Sequence, residues 1–475
     1  MTGVVMLAAL GAVLLLTGLP SWIVLVGVAL AFGAAGALLG VFPYDLLTAM
    51  PARVQGLLEN DLIQALPLYV FMGALLNHLP LAGTLFRVLS RALRPTGAAA
   101  PLAGLALAAL LAPMNGSVGA SALMLGRTVQ PRLDASGAPR ERGAALVCVA
   151  STLGVVIPPS LVLILLGDAM MRAHTEAVNV THAAMRIVNT QDVFLGALGP
   201  AGLLFALTAL VAWWRGRATR LAAAGTPAPR EWFLALATLA VIVALLTGVT
   251  LGYLFAVEAA AAGGVALTIF GVATRALTRR VLMDVLRDTM AISGALFALL
   301  LAATIFTLVL RAYGTDRWLA ALLGALPGGG PLALAVGLAI VAACALVLDA
   351  FEMIFVVVPV VMPPLLTVVP DATWVSVLTL LMLAASFLLP PFGYAILLTR
   401  QVQAKPLGLA PLVRELVPYL VVQWLVLAVV LAAPQIVWHK NPLELPAASP
   451  ADESAGPGML VAPPPDETPS EPERP

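Results

Sequence analysis

The sequence predicts an all-α membrane protein made of two inverted repeats, each about five transmembrane helices plus a re-entrant hairpin. Three observations predict this class. Of 475 residues, 61% are hydrophobic and 10% charged, and the mean hydropathy is +1.02. A water-facing exterior needs more charge than that, so the solvent is lipid. Apolar stretches of about 20 residues, long enough to span a bilayer, succeed one another across short Arg- or Pro-containing breaks. Lacking strand-like alternation, they select helices over a barrel. Finally, at an offset of 232 residues Pro131 falls on Pro363, Pro158 on Pro390 and Pro159 on Pro391, with Ser117 on Asp349.

Taken in order, Met1 to Leu16 is apolar but has no basic n-region and no clear cleavage site, so a retained first helix is expected. Full crossings are expected near 3–17, 21–41, 64–86, 143–167, 193–214, 232–249, 252–274, 288–310, 372–398 and 416–438. Two apolar regions, 98–127 and 318–369, are interrupted near their middles and are expected to form re-entrant hairpins. The first repeat is then 1–214, with hairpin 98–127 and broken helix 143–167. The second is 232–438, with hairpin 318–369 and broken helix 372–398. Between them 215–231 forms a linker, 168–192 a polar outer insertion with a short amphipathic helix, and 441–475 a disordered Pro-rich acidic tail.

Connections at 87–94, 127–142, 215–230, 275–287 and 400–414 carry Arg or Lys, which the positive-inside rule places in the cytoplasm. Both termini then fall outside, and Pro158-Pro159 runs outward where Pro390-Pro391 runs inward. Inverted repeats with helices broken at the midplane are the build of many secondary transporters.

The candidate chemistry sits at those breaks. In Pro113 to Ser121 the chain is polar and glycine-containing inside an apolar hairpin. Asn115, Ser117 and Ser121, with freed carbonyls, offer hard oxygen donors suited to an alkali cation, against a plain reading as small-residue helix packing. Ser151, Thr152, Gly154, Pro158, Pro159 and Ser160 form the facing break, where two prolines interrupt a helix and free the amides of the next one. Asp349 and Glu352 lie within one turn inside the second hairpin, either a functional intramembrane pair or hydrated at the outer interface. Ser386, Pro390 and Pro391 mark the second facing break. Glu258, in a small-residue stretch, is expected to pair with a neighbouring helix.

Other classes are disfavoured. HExxH, GxSxG, P-loop and CxxC patterns are absent, so an enzyme or a nucleotide-driven pump is not expected, and the two cysteines show no metal-ligand spacing. His174, Glu176 and His182 are expected to be solvated loop residues, not metal ligands. A formal net charge of +1 gives no electrostatic case for nucleic acid.

Together these residues resemble the large membrane subunit of tripartite ATP-independent periplasmic (TRAP) transporters, the DctM family. The likeness runs to about Trp438. It rests on the order of Pro67-Leu-Tyr-Val-Phe-Met-Gly73, the Gly-Ser stretch at 116–121, Gly154-Val-Val-Ile-Pro-Pro-Ser160 and Glu258-Ala-Ala-Ala. Leu348-Asp followed by Pro359 and Pro363, and then Pro390-Pro-Phe-Gly393, complete it. The resemblance implies an elevator-type permease of the bacterial inner membrane, working with a small four-helix membrane subunit and a periplasmic substrate-binding protein. That partner delivers a small organic anion, commonly a carboxylate, with sodium as coupling ion. Family sodium sites match 115–121 with 151–160 and 349–353 with 384–394, which implicates Asn115, Ser117 and Asp349. Residues 172–190 are longer than the usual connection, and Met382 to Ser386 is poor in polar side chains. A stand-alone divalent-anion symporter of the ion-transporter superfamily is the alternative, and a proton is the alternative coupling ion at Asp349 and Glu352.

The arginine asymmetry sets a labelling pattern. Cysteines introduced at Arg91, Arg140 and Arg217 should react with impermeant reagents only from the cytoplasm, and one at Thr181 only from outside; external labelling at Arg140 would overturn the topology.

Overall fold

The computed structural model describes residues 2–43, 48, 50–59, 61–115, 117–182, 188–217, 227–390, 393–403 and 407–437. The tail from 441 and most of the linker at 218–226 lie outside them. Within them the chain is helical: α1 (Thr2–Thr17), α2 (Ser21–Leu38), α3 (Met50–Leu58), α4 (Asp61–His78), α5 (Leu81–Ala92), α6 (Ala99–Leu111) and α7 (Val118–Thr128). There follow α8 (Gln130–Ala135), α9 (Arg140–Val156), α10 (Leu161–Thr181), α11 (Thr190–Gly216), α12 (Pro229–Thr250), α13 (Ala256–Ala273) and α14 (Arg279–Ala312). The remainder is α15 (Thr315–Gly324), α16 (Gly329–Cys344), α17 (Ala350–Val368), α18 (Ala372–Ser386), α19 (Tyr394–Val402) and α20 (Leu409–Ala432). Among the described residues seven helices are long and apolar enough to cross a membrane, or nine if each bent pair is one span.

Two populations of helix are distinguishable by which faces are covered. In α9 every residue from Gly143 to Val156 is buried, and in α18 every residue from Val375 to Ser386. Helices apolar all round belong in the interior. α6, α7, α10, α11, α19 and α20 surround this pair, with the hairpin α16–α17 against α10 and α18. α2, α12, α13 and α14 keep bulky side chains outward, including Trp22, Leu30, Phe233, Leu236, Val265, Ile269 and Met290, as do the outer faces of α11 and α20 with Trp214 and Val421. These faces meet lipid.

Lipid supplies little hydrophobic drive between helices, so close packing of small residues must do more. The run after Glu258 shows this: α13 lies on α4 so closely that a Cβ at Gly263 would stand 2.4 Å from Met72 Sδ. Glu258 itself corrects an expectation. Instead of pairing with a neighbouring helix it is exposed and caps its own, its Oε2 accepting from Phe255 N at 2.9 Å.

Four boundaries differ from the sequence reading. The stretch 64–86 is not one crossing: after His78 the chain turns by 65° into α5, where Pro80 precedes the new helix. Residues 168–181 form no separate short helix but continue α10, because Met170, Ala173, His174 and Ala177 keep an apolar face that packs against α17. The connection at 275–287 shrinks, since Thr278 accepts from Val281 N and starts α14 early. The second hairpin begins at Gly329, with 315–324 a helix of its own.

Ion pairs sit where the bundle meets its ends. Glu415 of α20 takes Arg142 Nε at 3.2 Å and Arg215 Nη2, while Arg215 Nη1 donates to the Glu415 carbonyl at 2.9 Å and Arg142 Nη1 to the Arg215 carbonyl at 3.1 Å. One carboxylate thereby ties α9, α11 and α20. Arg311 at the end of α14 grips both Glu176 oxygens at 2.9 Å and donates to Pro359 O at 2.8 Å. That carbonyl is free because Pro363, four residues on, has no N–H.

Removing Glu415 leaves two cations facing each other in a mostly covered site. A fully buried pair broken in this way loses about 3–5 kcal/mol; with the three side chains 16–30% exposed, Glu415→Gln is expected to lose about 2 kcal/mol. A lowered thermal midpoint in detergent checks this, and an unchanged midpoint would show the network to be stabilising nothing.

Candidate functional site

The first hairpin turns at membrane depth through a tight 3-10 turn, Ala112–Asn115, into an extended Ser117 (φ −150°, ψ 154°) that opens α7. Ser117 Oγ accepts from Ala120 N at 3.0 Å, which makes it the N-cap of that helix. Ser121 Oγ donates to Ser117 O at 3.0 Å and accepts from Asn115 Nδ2 at 3.3 Å. Asn115 is only 5% exposed, yet its Oδ1 accepts no hydrogen bond from a described residue. An unsatisfied buried carbonyl oxygen is unfavourable by about 1–3 kcal/mol and is a place to look for a missing partner.

The tip is clamped on two sides. A Cβ on Gly154 of α9 would lie 2.6 Å from Ala112 Cβ and 2.7 Å from its carbonyl oxygen, and one on Gly73 of α4 would lie 2.8 Å from Met114 O. Only glycine allows either helix so near the backbone of the turn. Between tip and α9 remains a cavity of about 10 Å³, lined by Pro113, Ser117, Ser121, Ser151 and Gly154 among others. That is close to the space of one water molecule or one small ion. Ser151 donates to Cys148 O at 2.7 Å and Thr152 to Val149 O at 2.9 Å, so both hydroxyls keep lone pairs but no spare proton. Ser151 lines the cavity; Thr152 does not.

After Val156 the chain bends by 41° into α10. Pro158 and Pro159 are buried there. Pro159 has no N–H for Val155 O, and Ser160 Oγ supplies the donor instead at 2.9 Å, while accepting from Leu163 N at 3.0 Å. One hydroxyl thus stitches both half-helices. Ser160 is a structural cap and is not a residue lining the cavity.

At the second tip Asp349 Oδ1 accepts from Phe351 N at 2.9 Å and Glu352 N at 3.0 Å, and Glu352 Oε2 accepts from Asp349 N at 3.1 Å. This reciprocal capping box leaves one oxygen of each carboxylate outside it. Glu352 is 6% exposed, against the reading in which both acids are hydrated at the interface. A widened turn over Met353–Val357 follows. Ser386 donates to Met382 O at 2.8 Å and makes no hydrogen bond to either acid; Pro390 is half-buried, and Pro391 lies outside the described residues.

The structure therefore gathers Ser117, Ser121, Ser151 and Gly154 around one cavity, with Asn115 joined through Ser121, and keeps Asp349 and Glu352 as a pair of their own. Two neighbours of the first tip were not assigned to it from the sequence. Gly73, the end of the Pro67–Gly73 run, touches the tip from α4. Tyr394 starts α19, which packs on α7, and its Oη comes within 3.9 Å of a Cβ built on Gly119. Glu176, weighed with His174 and His182, is held by Arg311.

The family model for the tripartite ATP-independent periplasmic transporter, DctM component, matches residues 8–436. The C4-dicarboxylate TRAP transporter large permease protein DctM of Pseudomonas aeruginosa is 23% identical over 416 residues, covering 86% of this chain and 92% of that protein. Its namesake from Rhodobacter capsulatus is 26% identical over 271 residues, 55% of this chain and 60% of that protein. The ectoine/5-hydroxyectoine TRAP transporter large permease protein UehC of Ruegeria pomeroyi is 25% identical over 436 residues, 89% and 95%. The crystal structure of the Alcanivorax borkumensis YdaH transporter shares the fold, with a TM-score of 0.60 at 18% identity over 84% of this chain and 91% of that one. With a family match across nearly all of its described helices, this multi-pass inner-membrane chain belongs to the DctM family, the large permease component of TRAP transporters.

Proposed function

We propose that this chain moves a small organic anion inward, delivered by a periplasmic binding protein, with sodium as the coupling ion and a small four-helix membrane subunit beside it. The observation that supports the ion site is the buried Asn115 Oδ1, unpartnered among the described residues, on a side chain bonded to Ser121, which lines a small cavity together with Ser117 and Ser151. Neutral oxygens replace the water shell of an alkali cation without adding charge. The names of the relatives, two C4-dicarboxylate permeases and one ectoine permease, favour a compact carboxylate.

The inverted repeat is supported by element bounds. Shifted by 232 residues, α6 falls on 331–343 within α16, α7 on 350–360 within α17, and α9 on 372–388, which nearly coincides with α18. The bundle around the buried pair α9 and α18 is the moving part in this reading, and the lipid-facing helices α2, α12, α13 and α14 are the frame. One coupled charge supplies about 2.3 kcal/mol per 100 mV, enough for more than a tenfold gradient. The acidic second tip is assigned the lesser role, with Asp349 and Glu352 open to a proton.

Reconstitution in proteoliposomes with the small subunit and binding protein tests this. Uptake should require the binding protein and an inward sodium gradient; uptake by the permease alone would favour a stand-alone symporter. Asn115→Leu should raise the half-saturating sodium concentration at least about tenfold, the loss of one buried ligand oxygen, and combining it with Ser117→Ala should abolish sodium stimulation. Sodium stimulation intact in the double variant would falsify the site.

A further inference from the structure

Between the α4–α5 bend and the facing ends of α12 and α13 lies a second cavity, of about 130 Å³. One water needs roughly 10–15 Å³, so the space suits a larger guest. Leu81 and Leu85 of α5, Leu234 and Ala235 of α12, and Phe270 of α13 supply apolar walls. Thr84, Thr238 and Thr274 also line it, but each hydroxyl donates into its own helix, to Pro80 O at 3.0 Å, Leu234 O at 2.8 Å and Phe270 O at 2.8 Å. Few donors remain for a polar solute.

The mouth is cationic. Arg230 lines it, is exposed, and meets no acidic side chain within salt-bridge distance among the described residues. Arg275, between the lining residues Thr274 and Ala276, is exposed and also meets no acidic side chain within salt-bridge distance among the described residues. Glu231, next to Arg230, is engaged by Arg87 at 2.5 Å.

Depth in the membrane follows from the surrounding elements. α5 leaves α4 at 65°, buries Leu81, Ala82, Leu85 and Phe86, and turns Arg91 outward, the pattern of a helix lying in the interface. Trp232, 41% exposed on the first turn of α12, marks the same headgroup level. The apolar pocket therefore opens where acyl chains meet phosphates, on the arginine-rich side.

We propose that this cavity binds one anionic phospholipid, an acyl chain lying along Leu81, Leu85, Leu234 and Phe270 and the phosphate on Arg230 and Arg275. A neutral lipid leaves the net charge of the mouth uncompensated, and free phosphate leaves the apolar walls empty. Basic pockets between spans on the cytoplasmic side are suited to anionic headgroups.

The test is native mass spectrometry of the purified full chain, delipidated and exposed to equal phosphatidylglycerol and phosphatidylcholine. One phosphatidylglycerol should be retained in preference. Arg230→Gln, at an exposed position, should weaken its retention about fivefold with the thermal midpoint and phosphatidylcholine retention unchanged. Ala235→Phe should fill the cavity and release both lipids. The proposal is overturned if Arg230→Gln retains phosphatidylglycerol as the parent chain does, if inorganic phosphate displaces it, or if the parent chain retains no lipid, as expected of a cavity that another subunit's helix occupies.

Discussion

Everything in this fold answers to one constraint: a helix broken inside a membrane exposes backbone groups that lipid will not bond, so each must find a partner in the protein. The prolines that break the helices create orphan carbonyls at known places, four residues before each ring. Val155 O, freed by Pro159, takes the Ser160 hydroxyl; Pro359 O, freed by Pro363, takes Arg311; Val430 O, freed by Pro434, takes Trp374 Nε1 at 2.9 Å. Amides released on the other side of each break go to Ser117, Ser160 and Asp349. The polar side chains of the interior are largely absorbed by this repair. Of the buried polar atoms left without a hydrogen bond, Asn115 Oδ1 is the one placed at the first hairpin tip, where its neighbours are satisfied.

That oxygen gains its meaning from packing. Gly154 and Gly73 bring α9 and α4 against the tip closely enough to leave room for one small guest and no more. α9 belongs to the buried bundle and α4 packs with the lipid-facing α13 and α14, so the tip sits where bundle and frame touch. In the function proposed above, a cation bound there would bear on the contact along which the two would slide.

Charge is placed by the same logic. Where the sequence puts arginines at helix ends, the structure uses them as ties: Arg142 and Arg215 on Glu415, Arg311 on Glu176, Arg87 on Glu231. Arg311 does double duty, since one guanidinium edge serves a carboxylate and an orphan carbonyl together. Arg230 is among the arginines outside this scheme, open at the rim of an apolar pocket, with Arg275 next to the lining residues Thr274 and Ala276.

Composition and spacing by themselves determined the solvent and the helical class and marked the interruption at Pro158-Pro159, because apolar length and missing N–H groups are local properties. The same local signals placed Asn115, Ser117 and Ser151 among the candidates. Only the tertiary structure decided which oxygens share a cavity: Ser160 and Thr152 looked like Ser151 in the sequence but point into caps and turns. It also decided that 168–181 extends α10 and that His78 ends α4 at a bend, since both depend on the surface against which an ambiguous face finds cover. Gly73 and Arg311 were illegible for the same reason. Their partners, Met114 O and Pro359 O, lie dozens of residues away, and proximity across that distance is a property of the packed chain, not of any stretch of it.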